Sequence, residues 1–147
     1  MGTAVRSIWL SAVLLTACGA SDEHALGPYD GRVVAAALDA CTPLTYQWQD
    51  GFLGGVATAT IETGPDGVCF YRSKMPGIFE MDCAFDAATR TAIAEDLRRM
   101  HGVTDLKNTV AFEGDKVVAT YEVAGVTYAD RMVIALNDGT CTSDPVK

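Results

Sequence analysis

Apolar residues recur along the chain first at helical spacing, then at every second position, then at both spacings again. Val34, Leu38 and Cys41 form one helical stripe behind Asp30, a good N-cap, and ahead of Pro43, which blocks continuation. Alanines 35–37 add helix propensity, so a helix is expected over 30–40. Residues 44–48 read as a short strand. Over 56–63 the polar Thr58, Thr60 and Glu62 alternate with Ala57, Ala59 and Ile61. Gly64-Pro65-Asp66-Gly67 and Met75-Pro76-Gly77 are turn sequences, and strands are expected at 68–74 and 78–85 on either side of the second.

Helical spacing returns at Ile93, Leu97 and Met100, with Asp86 as cap. Arg98, Arg99 and His101 complement the negative C-terminal end, and Gly102 suits the position just past it, which accounts for His101 without catalysis. Three strands are then expected at 109–113, 116–123 and 126–136, with turns at Gly114 and at Ala124-Gly125. Asn137-Asp138-Gly139 would end the sheet and leave Cys141 in a tail. The expected fold is α+β, in the order α-β-β-β-α-β-β-β. A single antiparallel sheet of about six strands would carry both helices on one face. The two halves share an element order, which hints at duplication, but no residue-level repeat supports it.

A turn centred on Pro76 would set Cys69 opposite Cys83, Arg72 opposite Glu80 and Phe70 opposite Asp82. Cys69, Tyr71, Phe79, Met81, Cys83 and Phe85 then share a core face. Val68, Phe70, Arg72, Ile78, Glu80 and Asp82 share the other, which is too apolar for a simply solvated surface. Cover by a loop or by 44–48, bringing Tyr46 and Trp48, is the first expectation, and a contact surface is the second. The tip around Met75 and Ile78 is an ordinary turn or a small binding feature. The turn at Ala124-Gly125 sets Tyr121 opposite Tyr128 and Val117 opposite Met132. Asp130 then falls in an inward series, where a bulge is the expected explanation and a functional carboxylate the alternative.

Residues 1–17 form an export signal, with Arg6 followed by the apolar run 8–15, too short to span a bilayer. Leu15-Thr16-Ala17-Cys18 resembles the lipobox of bacterial lipoproteins. The resemblance implies cleavage before Cys18, lipid on its thiol and acylation of the new amino terminus, and so a membrane as partner. Gly19 at the next position favours the outer membrane. Residues 19–27 are small and polar, so 18–29 reads as the lipidated cysteine and a flexible tether containing His24, with one globular domain over 30–147.

Setting Cys18 aside leaves Cys41, Cys69, Cys83 and Cys141, an even number that suggests two disulfides in an oxidising compartment. All three pairings are open: Cys69–Cys83 with Cys41–Cys141, or Cys41 joined to Cys69 or to Cys83. The mature chain keeps all 19 acidic residues and loses only Arg6 of the 11 basic ones, a formal charge of −9. That balance argues against nucleic acid. No hydrolase, phosphate-binding or calcium motif occurs. Met75, Met81, Met100 and His101 are too scattered for a soft-metal site, so no metal or cofactor is expected. The sequence therefore points to a lipid-anchored, non-catalytic binding or accessory protein contacting a protein or other envelope component. The alternative is an enzyme with an acidic site at Asp130 or at Glu80 and Asp82.

Overall fold

The structure, a computed structural model, describes residues 26–51 and 54–145. The expected signal, Cys18 and the part of the tether holding His24 lie outside the described residues. In chain order the elements are α1 (Gly31–Ala40), β1 (Leu44–Gln49), β2 (Val56–Thr63), β3 (Cys69–Met75), β4 (Phe79–Phe85), α2 (Ala87–Met100), β5 (Lys107–Glu113), β6 (Lys116–Val123), β7 (Val126–Ala129), α3 (Arg131–Asn137) and β8 (Cys141–Pro145). A 3-10 turn at Pro65–Gly67 joins β2 to β3. The class is α+β, as expected, but the strands form two antiparallel sheets rather than one. Five strands run β1-β2-β3-β4-β8, and β5-β6-β7 make a smaller sheet.

Both long helices start as their caps predict. Asp30 accepts from the Arg32 amide at 2.9 Å, and Asp86 accepts from the Thr89 amide at 2.7 Å. The Arg32 guanidinium also bonds Asp30 and holds its carboxyl down at about 2. α1 ends at Cys41, in the left-handed region with φ 48°. Its amide bonds the Leu38 carbonyl, and the Thr42 amide bonds Ala37, an arrangement that usually takes glycine. Gly31 is placed where α1 meets the end of α2; a Cβ there would come within 3.1 Å of the Leu97 carbonyl.

The helices cover one face of the large sheet. Val34 and Leu38 of α1, Ile93 of α2, Ile61 of β2, and Cys69 and Phe85 of the central strands are essentially inaccessible. Ala57 and Ala59 on β2 add little bulk under the helices. The expected core face of β3 and β4 is therefore found, but the register differs from expectation. Cys69 lies opposite Phe85, Tyr71 opposite Cys83 and Arg72 opposite Asp82. The turn is centred on Gly77, not Pro76, because Gly77 takes the left-handed conformation (φ 70°) at the apex of a three-residue loop. Moving the centre by one residue shifts each partner by two, so every side chain stays on its face.

The expected strand over 126–136 is corrected. β7 stops at Ala129 and α3 follows. Asp130 is neither a bulge nor an inward strand residue: it caps α3, accepting from the Met132 and Val133 amides at 2.9 and 3.2 Å. Val117 consequently does not face Met132. Its backbone N–H and C=O instead meet the side-chain amide of Asn137. Cys141 is not in a loose tail but begins β8, paired along β4.

The disulfides are Cys41–Cys69, with Cα atoms 5.7 Å apart, and Cys83–Cys141, with Cα atoms 4.1 Å apart. The first pins the end of α1 to β3. The second crosses between directly opposed residues of β4 and β8, so the bridge from Cys69 to Cys83 is excluded by register. Peptide mapping without reduction is expected to recover these two links. Replacing Cys83 and Cys141 together by alanine should cost about 2–4 kcal/mol in denaturant unfolding. A Cys69–Cys83 peptide would contradict the topology.

Candidate contact surface

The outer face of the large sheet is assembled by strand alternation. Each residue that sends Tyr71, Met81 or Cys83 inward is flanked by one that points out: Phe70 and Arg72 on β3, and Glu80, Asp82 and Ala84 on β4. Thr60 and Glu62 continue the row on β2, and Thr142 on β8. Between these strands lies a shallow cavity of about 340 Å³, whose lining includes Phe70, Arg72, Thr60, Glu62, Asp82 and Thr142. Phe70 is 43% exposed. Its ring lies against Gly64, where a Cβ would come within 2.6 Å of it, so the turn before β3 leaves room for the ring only because residue 64 has no side chain.

Arg72 governs the charge of this face. Its Nε bonds the Asp82 carboxylate at 2.6 Å and approaches Glu80 at 3.6 Å. The carboxylates raise the affinity of the guanidinium for its proton, led by the hydrogen bond to Asp82. The acidic pair proposed as an alternative site is thus held by a cation on the same open face.

Among the described residues, 44–48 does not supply the expected cover. β1 does not cross the outer face; it extends the sheet beside β2 and sends Tyr46 and Trp48 to the inner side. There Tyr29 packs on Trp48 with ring centroids 4.8 Å apart, and Tyr46 stacks on Trp48 at 5.7 Å. The Tyr46 hydroxyl accepts from the Asp30 amide, and the Gln49 amide bonds the Gly27 carbonyl. Residues 27–30 are therefore seated on β1. Burial and neighbouring phenols push the Tyr29 hydroxyl well above the usual tyrosine range.

The residues expected to form the contact patch are partly dispersed. Phe70, Arg72 and Glu80 share the outer face. Ile78 stands at the turn, 44% exposed, and half-buried Val68 lies just ahead of β3. Met75 is half-buried and packs against the core. No family model, characterised protein or solved structure matches this chain.

A buried side chain with four donors was missed by sequence reasoning. Asp96 on α2 is 3% exposed and accepts from Tyr121 Oη at 2.7 Å, Arg99 Nη1 at 2.9 Å, Arg131 Nη1 at 2.6 Å and the Arg131 amide at 3.2 Å. Arg99 also donates to Tyr121 Oη and lies 4.1 Å from the centre of the Tyr128 ring. The Tyr121 hydroxyl is pushed up to about 12, chiefly by burial and then by its bond to Asp96. The one local signal was an aspartate between Ile93 and Leu97 with an arginine three residues later.

The two faces of β3 and β4 should respond differently to mutation. Arg72→Ala removes an exposed ion pair and is expected to cost under about 1 kcal/mol in chemical denaturation. Phe85→Ala, on the opposite face, should cost about 3–5 kcal/mol. Equal losses would contradict the assignment of faces.

Proposed function

We propose that this chain is a lipoprotein of the bacterial envelope, anchored through lipid on Cys18, whose domain binds a protein or other envelope component without catalysis. The outer face of β2, β3 and β4 is the binding surface. One observation carries the reading: an exposed aromatic, Phe70, lines a largely apolar concavity edged by Thr60, Glu62, Arg72 and Asp82 that no described segment covers.

The cysteines support the anchor. All four in the domain are paired, as suits an oxidising compartment, which leaves Cys18 as the odd one at the lipobox. Among the described residues no helix is long and apolar enough to cross a membrane. Two or three acyl chains would anchor the protein firmly, because each buried CH₂ contributes about 0.8 kcal/mol. Gly19 favours the outer membrane as the destination.

Two measurements on the full chain test this reading. Mass spectrometry of the mature protein is expected to show a chain beginning at a diacylated Cys18; an intact Met1 or an unmodified Cys18 would refute the anchor. A photo-crosslinking residue at position 70 should capture a partner in cells, and one at Glu95 on exposed α2 surface should not. No adduct from position 70 would refute the binding surface.

A further inference from the structure

Among the described residues, the smaller sheet ends in a strand with no neighbour on its outer edge and exposed side chains on both faces. Every residue of β5 is exposed, including Val110 at 60% and Phe112 at 78%. Other sheet edges in the described residues are managed. β1 meets the segment at Gly27, β8 carries Asp144 and Pro145, and β7 is four residues long and gives way to α3. β5 has seven residues, no proline and no bulge, with charges only at its ends.

Register shows which backbone groups that edge presents. The Asp130 amide bonds the Ala119 carbonyl, and the Asn137 side chain bonds both backbone groups of Val117. Odd-numbered residues of β6 therefore turn their amides toward β7, and even-numbered ones toward β5. Thr120 lies opposite Thr109, and Val118 opposite Ala111, so the odd residues of β5 are bonded to β6. The N–H and C=O groups of Asn108, Val110 and Phe112 face outward.

We propose that β5 pairs antiparallel with β5 of a second copy of this chain, about a two-fold axis at Val110, joining two three-stranded sheets into one of six strands. The sequence of β5 is complementary to itself in this register. Val110 meets Val110, and Asn108 meets Phe112, so every outward amide finds a partner. Lys107 meets Glu113 of the other copy. In its own chain Lys107 already lies opposite Glu122, with Nζ 3.2 Å from its carboxylate, and Glu113 lies opposite Lys116. The row across the four central strands is then Glu122, Lys107, Glu113 and Lys116, alternating in sign throughout. A slip of two residues in either direction breaks that row. Phe112 and Val110 share one side of β5, so the axis also brings four exposed apolar side chains together.

Sedimentation velocity on the purified full chain, in detergent if it carries lipid, tests this independently of the anchor and of the Phe70 surface. A concentration-dependent dimer is expected. Val110→Pro removes an N–H that faces away from β6, and should give a monomer with an unchanged near-UV circular dichroism spectrum. Val110→Lys, placing two cations on the axis, should do the same and serves if the proline variant misfolds. Lys107→Glu should weaken dimerisation about tenfold. A monomer at all concentrations, a dimer indifferent to Val110→Pro and Val110→Lys, or a β5 edge occupied by a different protein would overturn the proposal.

Discussion

The Asp96 carboxylate is the point on which the two halves of the structure meet. It belongs to α2, a helix of the large sheet's core layer, yet its partners are Tyr121 on β6 and Arg131 at the start of α3. The small sheet contributes one fully buried large side chain, Tyr121, and that side chain is the one bonded to Asp96. β5 contributes none. Apolar burial alone therefore does little to seat the small sheet, and a buried carboxylate with four donors sets its position. Such a network adds little net stability: its attraction offsets a desolvation cost, whereas removing one partner exposes that cost in full.

The consequences run outward from that junction. With α2 and α3 committed to the inner side, the large sheet keeps its opposite face open. Arg72, Asp82 and the exposed ring of Phe70 lie there. With β6 held by Tyr121 and Asn137, β5 becomes the distal edge of the small sheet and has no element beyond it among the described residues. One surface is a concavity with charged residues at its edge, the other an unpaired backbone edge among the described residues. They lie on different sheets, which is why a domain of this size could engage an envelope component and a second copy of itself at once.

What could be read from the sequence were the features whose causes are local. Asp30 and Asp86 cap the helices because a short carboxylate reaches an amide two or three residues on. The faces of β3 and β4 survive an error in the turn because strand parity does not depend on it. α3 was misread because Met132 and Leu136 satisfy both a strand period and a helical one. Only Ile134, exposed, and Ala135, buried, distinguish the two, and the cap at Asp130 decides it. The number of sheets was beyond reach, since hairpin turns name a strand's next neighbour but not which hairpins share a ladder. The disulfide pairing depended on β8 lying beside β4, a contact across 58 residues. The expectation that Tyr46 and Trp48 cover the outer face failed because 44–48 found a sheet edge instead. Asp96 looked like one polar residue on a helix flank, with decisive partners 25 and 35 residues away.

The claim that this carboxylate seats the small sheet is tested most directly by native-state hydrogen exchange on Asp96→Ala beside the unsubstituted chain. The account predicts a stability loss of about 3 kcal/mol, with amide protection falling in β6 and α3 well beyond its fall in β2, β3 and β4. A loss below about 1 kcal/mol, with protection in β6 unchanged, would contradict it.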